Sequence, residues 1–419
     1  MNPSTRKLAW IAMLYAAQGL PYGVVHKIWP VYFRAHGVSL KEIGLMSLLA
    51  LPWSWKPLWA PLVDRFGPRR AWIVPCLGAL AAIAFVMPLL PAEKVGPLMI
   101  VFLLTFTLAS ATQDIAIDAW AVDAATGRDL GLMNGIRASA FRVAVIATGG
   151  LALLVADRSG WPAAWAVVGA LFAALAVGAL FLKDGERALS RTGEKRKTRE
   201  LVRSFLAWLL RKEMLPIALF ALLFKLGDQA IARMTETFWV DRGMALTEIA
   251  LVANTLGLVL TITGALLGGW FLSRVGLFHG LIWIGIAQLA SNLVYAAVAG
   301  FDLPRSSLYF ASGFENFSQG LGTAALLSFL TACCRRENAA TEYALLSALF
   351  AFSREIAGAA SGFGAERMGY GGFFAFTALL AVPALLLLPW LRPQIQLATA
   401  VGATPAGAGT AGGPPLDVD

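Results

Sequence analysis

The side chains in this sequence with the means to do chemistry are carboxylates and guanidiniums set inside apolar runs. In Ala111–Asp123, ATQDIAIDAWAVD, the acids Asp114, Asp118 and Asp123 interrupt a segment that begins near Pro97. A carboxylate in hydrocarbon is costly, so acids on a spanning helix face a cavity or a partner, and the stretch reads as the polar lining of a transport path. Asp114 and Asp118 are four residues apart and share a helix face. Two carboxylates this close repel, so one of them is expected to hold a proton, as a proton-coupling site requires. The competing reading pairs Asp118 and Asp123 with Arg128 or Arg137 as a structural latch.

Arg142 and Arg354, the latter followed by Glu355, lie at similar depth in opposite halves of the chain. A guanidinium stays charged and grips carboxylate or phosphate in bidentate fashion, so each is either a substrate contact or an acid's partner, to Asp114 or Glu355. Gln18, Tyr22 and His26 recur every four residues beside Lys27, with Gly19, Pro21 and Gly23 interrupting the helix. Irregular backbone at that depth is tolerated where it lines a cavity, so this stripe is expected to face the path and touch substrate. His26 is either a proton exchanger or a fixed hydrogen-bonding residue. Lys225 and Asp228, and again Arg233 and Glu236, stand at a self-pairing spacing. Asp228 and Glu315 are two further protonation candidates, and Gln113, Asn316 and Gln319 are placed to hydrogen-bond a substrate. Trp29, Trp55 and Trp239 lie near these stripes and are candidates for stacking on it.

Composition names the elements that must position these groups. The chain is 419 residues, 58% hydrophobic and 14% charged, with a mean hydropathy of +0.68, which identifies an integral membrane protein rather than two or three soluble domains. Its apolar runs are each about 20 residues, enough to cross roughly 30 Å of hydrocarbon. Twelve are expected, spans 1 to 12, near 8–33, 43–63, 71–91, 97–120, 131–156, 162–182, 214–240, 246–273, 278–299, 304–332, 341–365 and 372–391. The fold class is all-α polytopic: a six-helix bundle over 1–182, a cytoplasmic linker over 183–213, a second six-helix bundle over 214–392 and a disordered tail over 393–419. The first run is too long for a signal-peptide core and should insert as span 1.

The +9 net charge reflects topology and no nucleic-acid partner, because the bases cluster in alternate loops. Arg6 and Lys7, then Arg65, Arg69 and Arg70, then the run from Lys183 to Lys212, then Arg335 and Arg336 share one side. Both termini are therefore expected in the cytoplasm, in a cytoplasmic (inner) membrane. Cys76, Cys333 and Cys334 show no metal-ligand spacing, so neither a metal nor a cofactor is expected. An embedded enzyme would need a nucleophile or a paired His and acid, absent around His26, His36 and His279. A sensor would need a soluble domain in the loops. The halves match at one offset: HGVSLKEI from His36 aligns with RGMALTEI from Arg242, a shift of 206, which also places Thr112 and Gln113 on Ser318 and Gln319.

The turn after span 2, APLVDRFGPRR (Ala60–Arg70), carries a D-R-x-G-x-R-R pattern, with a degenerate counterpart in GGWFLSRVG (Gly268–Gly276). On this turn the chain resembles the major facilitator superfamily, whose members latch the cytoplasmic gate with its acid and bases. The resemblance makes Asp64 and Arg65 gate candidates, to which Asp123 and Arg137 are added from the latch reading. QGLPYG, WKPLWAPLVDR, ATQDIAIDAW, LFKLGD, TITGALLGG, FENFSQGLGT and ATEYALLSAL are similar to the superfamily's peptide and acetyl-CoA transporter group. Span 5 lacks the Gly-Pro-x-x-Gly-Gly pattern of drug antiporters. The resemblance implies a monomeric secondary transporter in lipid, importing an amphiphilic carboxylate-bearing solute of muropeptide type by proton symport and alternating access. A siderophore or an acyl-CoA-type anion is the alternative substrate.

Overall fold

The computed structural model describes residues 3–124, 130–182, 214–333 and 339–402, with side chains at most of these positions. The linker 183–213, Arg128 and the side chains of Asp64 and Asp123 lie outside the described residues. Every regular element among the described residues is a helix. Eight segments are long and apolar enough to cross a membrane. Two of them, Gly135–Leu180 with 46 residues and Phe352–Gln396 with 45, would each extend roughly 70 Å as a straight helix, far beyond one bilayer. Each reverses at a glycine, Gly160 at φ 81° and Gly369 at φ 67°. Positive φ costs a residue with a Cβ about 1–2 kcal/mol and costs glycine almost nothing, so the chain turns there. Divided at these two points, and with the broken segment 40–65 and the helix Arg305–Cys333 added, the described helices follow the order expected of spans 1 to 12.

The same glycines report the internal duplication. Gly37 and Gly243 stand 206 positions apart, and Gly67 and Gly276, like Gly160 and Gly369, stand 209 apart. The loop after span 1 closes with a capping box: Ser39 Oγ accepts from the Glu42 amide at 3.2 Å, and the Glu42 carboxylate accepts from the Ser39 amide at 3.3 Å. In the second copy Ala245 has no hydroxyl, and only the return bond survives, from the Ala245 amide to Glu248 at 2.8 Å.

Spans 1 and 2, both of which carry functional groups, are irregular. Span 1 runs as an α-helix over Pro3–Gly23, passes through a π turn over Val24–Ile28 and resumes over Trp29–Ala35. Span 2 is cut into helices at Leu40–Leu45, Leu51–Trp55 and Ala60–Arg65, with 3₁₀ turns at Met46–Ala50 and Lys56–Leu58. Pro52, Pro57 and Pro61 each lack an amide donor and crowd the preceding turn, which accounts for the breaks. The tail departs from expectation: the last helix continues through Pro393 to Gly402. Proline removes one bond from the ladder, and the Gln, Leu and Ala beyond it are sound helix formers.

Spans are held together by close backbone approach, as suits a solvent in which apolar contact alone offers little gain. A Cβ at Gly264 would strike the Phe317 carbonyl, and one at Gly320 the Thr261 carbonyl, so spans 8 and 10 interlock reciprocally. Gly44 of span 2 and Gly362 of span 11 meet in the same way across the two halves. The larger apolar cluster likewise crosses between halves, joining Val25, Trp29 and Phe33 to Ile231, Phe238 and Phe374. A smaller one, around Phe220, Leu281, Phe329 and Leu388, lies within the second half. The turn after span 2 is bound to its own half. Gly67 takes φ 74°, Arg69 donates to Val63 O and Arg70 to Leu180 O, both at 3.0 Å. Arg65 is exposed and lies over the Phe66 ring.

Candidate functional site

The polar stripe of span 1 is divided among different neighbours. Gln18 faces span 4, its amide donating to Asp114 O at 3.2 Å and to Asp118 Oδ1 at 3.3 Å. Tyr22, still in the regular helix, and His26, in the π turn, face each other instead. Their rings stack at 3.8 Å between centroids, with Trp53 and Phe141 alongside. His26 Nδ1 bonds to Tyr22 O at 3.0 Å, while its Nε2 is buried with no hydrogen-bond partner. The expectation of one continuous stripe on the path is corrected for Gln18, which is spent between spans 1 and 4.

The two acids of span 4 with described side chains, Asp114 and Asp118, are each claimed by a base. Asp114 Oδ2 accepts from Lys56 Nζ at 2.6 Å, and its other oxygen is buried and unbonded. Asp118 Oδ1 accepts from Tyr15 at 2.7 Å and from Arg137 at 3.4 Å, and the Arg137 guanidinium also lies over the Tyr15 ring. The latch expected between Asp118 and Arg137 is thus present as a contact. Gln113 is fully buried, donating to Ala17 O at 2.9 Å, and joins spans 1 and 4 rather than reaching a cavity. Arg142 is exposed and meets neither Asp114 nor Arg354. Lys56 was missed in the sequence, although a lone lysine in an apolar run was a signal for a partner acid.

In the second half the self-pairing of Lys225 with Asp228 holds at 3.6 Å, both side chains buried. Asp228 also accepts from Gln288, and Lys225 Nζ donates to Gln319 O at 3.0 Å and Thr323 Oγ1 at 3.1 Å. The self-pairing of Arg233 with Glu236 fails, because span 7 breaks between Leu226–Ala232 and Thr235–Asp241 and turns the two side chains apart. Arg233 reaches Glu355 at 3.6 Å, and Glu236 takes Lys27 from the other half at 2.7 Å. Glu355, fully buried, also accepts from Arg354 at 3.0 Å. Arg354 in turn donates to the Tyr22 hydroxyl at 3.2 Å, so it is an acid's partner that also joins the two halves. A small polar cavity opens beside these groups, walled by Lys27, Glu236, Glu315, Asn316 and Gln319. Trp239 is the one of the three stacking candidates that lines it; Trp29 is buried against Phe106, and Trp55 is exposed.

Residues 11–308 match the Major Facilitator Superfamily. The chain belongs to that superfamily. It is 34% identical over 406 residues to the anhydromuropeptide permease of Escherichia coli K12, covering 93% of this chain and 80% of that one. Its fold is shared with the nucleoside transporter NupG, with a TM-score of 0.69 at 16% identity, covering 96% of this chain and 100% of that one. A bacterial homologue of the lysosomal transporter Spinster, in an inward-facing conformation, gives 0.68 at 14% identity and covers 96% and 98%. As a member of the Major Facilitator Superfamily the chain is a multi-pass membrane transporter. Among the described residues no group of His, Cys, Asp or Glu could hold a metal.

Proposed function

We propose that the chain imports anhydromuropeptide-type solutes across the cytoplasmic membrane by proton symport. The observation that carries the reading is the 34% identity to the Escherichia coli permease over 93% of the chain. Arg354 supports it: a quarter-exposed guanidinium between Glu355 and Tyr22 is suited to a substrate carboxylate, with Asn316 and Gln319 on the cavity wall. Of the four carboxylates expected to carry the proton, Asp114, Asp118 and Asp228 each have a bonded partner, whereas Glu315 faces the cavity with none among the described residues. Exposed apolar side chains such as Leu266, Trp270 and Trp390 suit lipid contact, and the duplicated halves complete one transport unit in a monomer. The test is uptake of labelled anhydromuropeptide by proteoliposomes under an imposed pH gradient. Accumulation abolished by a protonophore is expected. Thermal stabilisation by siderophores or CoA thioesters, with no uptake of muropeptide, would overturn the substrate. Arg354→Lys, which loses the planar fork, should weaken uptake affinity roughly tenfold.

Alternating access is supported by where the halves touch. Arg34 grips Asp241 with two bonds, at 2.5 and 2.7 Å, and the Tyr370 hydroxyl adds a third at 2.6 Å. The Lys41 amide donates to Glu366 at 2.9 Å, and Thr247 donates to Asp157. With the termini and the Arg65–Arg70 turn in the cytoplasm, these contacts seal the outer end. Asp241→Asn should shift the population towards outer opening by about fivefold, the worth of a partly exposed pair near 1 kcal/mol. The readout is labelling of Val38→Cys, buried here at 1% exposure, by an impermeant maleimide after the three native cysteines are replaced with serine. Unchanged labelling would remove this pair from the gate.

A further inference from the structure

Beside the paired Lys225–Asp228 and Lys56–Asp114, the remaining charges at mid-membrane divide into two groups of opposite balance. In the first, the Glu355 carboxylate lies between two guanidiniums, Arg354 at 3.0 Å and Arg233 at 3.6 Å, which leaves one surplus positive charge. In the second, one ammonium serves two carboxylates. Lys27 Nζ bonds Glu236 Oε1 at 2.7 Å. Glu315, only 7% exposed, lines the same cavity, and its carboxylate makes no hydrogen bond or ion pair with a described residue. Glu236 Oε2 is buried and unbonded. A bare surplus carboxylate is not sustained at this depth, so the second group must take up a positive charge from the path. The cavity is where it arrives.

The bond inside this group also joins the two halves. Lys27 belongs to span 1, and Glu236 and Glu315 to spans 7 and 10. The charged groups acting on Glu236 are Lys27 and Arg233; those acting on Glu315 are Asp228, Lys27, Lys225 and Glu236. Tyr295 of span 9 completes the wall, and His26, buried beside Lys27, has Arg233 and Arg354 as its charged neighbours.

We propose that Glu236 is the coupling carboxylate, for which a proton and the Lys27 ammonium compete. When the outer end is open, Lys27 is withdrawn and Glu236 carries a proton taken from outside. When the halves close, the ammonium displaces that proton, which leaves through the cavity by way of Glu315 towards the inner side. One proton is bound and one released per cycle, and Glu315 keeps a resident proton that cancels the surplus charge while Lys27 is bonded. The substrate carboxylate goes to the other, positively balanced group. This assignment rests on the proton-symport reading and adds to it the residue pair that converts protonation into movement of the halves.

The test measures Val38→Cys labelling against pH in purified protein, which requires no substrate. In the otherwise unchanged chain labelling should rise several-fold as pH falls, because protonation of Glu236 frees Lys27 and the outer end opens. Glu236→Gln should flatten that profile and lower the ratio of gradient-driven accumulation to counterflow by about tenfold. Should Glu236→Gln fail to purify as a single species, Lys27→Met with Glu236→Gln, which removes both charges together, is expected to give the same flat profile. Lys27→Arg should keep the pH dependence. A profile in Glu236→Gln or the double variant as steep as in the parent overturns the assignment, as does labelling that tracks sodium at constant pH. A parent that shows neither pH-dependent labelling nor pH-driven accumulation defeats the symport reading instead.

Discussion

Replacing Glu355 with glutamine is expected to be the most damaging single change in the molecule. Its side chain is fully buried, and it is the one described acid that both Arg233 and Arg354 reach. Removing one member of a buried pair costs about 3–5 kcal/mol, because the charge left behind has lost its water and gained nothing in return. Here two charges are left. The thermal unfolding midpoint in detergent should fall by many degrees, and reconstituted uptake should drop with it. Arg233→Met in the same chain should recover part of the loss, since it removes the more deeply buried guanidinium and leaves Arg354 with the Tyr22 hydroxyl. Equal stability of Glu355→Gln and the parent would mean that the two arginines have access to water that the packing does not indicate.

Architecture was legible in the sequence because it rests on composition and period. Apolar runs give the helices, the placement of Arg and Lys gives an expected topology, and the offset between the halves reappears, at 206 or 209 residues, in the paired glycines of positive φ. The candidate groups were legible as types, since charge in an apolar run has few uses. Their partners were not. Gln18 was expected on the path by counting in fours, but its amide is taken by Asp114 O and Asp118 of span 4. Arg233 and Glu236 were expected to pair by the same counting, which fails across the break in span 7. The bonds that replace them, Lys27 to Glu236 and Arg354 to Tyr22, join positions more than 200 residues apart. Such contacts depend on how two helical bundles are docked, and no local spacing encodes that.

Lys56 shows the same limit inside one half, and it frames the second large effect. Three prolines break span 2 and turn Lys56 inward, where its ammonium meets Asp114 at 2.6 Å. Asp114 is 9% exposed, and its second oxygen has no partner. Asp114→Asn removes the charge that makes Lys56 tolerable at this depth, at a cost again of about 3 kcal/mol or more. Stability, counterflow and gradient-driven uptake should therefore fall together. Lys56→Met combined with Asp114→Leu, which replaces the pair by apolar volume, should restore stability and counterflow. A proton carrier behaves otherwise. If Asp114→Asn folds and exchanges normally, losing accumulation alone, Asp114 returns to the coupling role that its spacing from Asp118 suggests. The two outcomes differ in the counterflow assay, where a structural pair and a proton carrier make opposite demands on the same carboxylate.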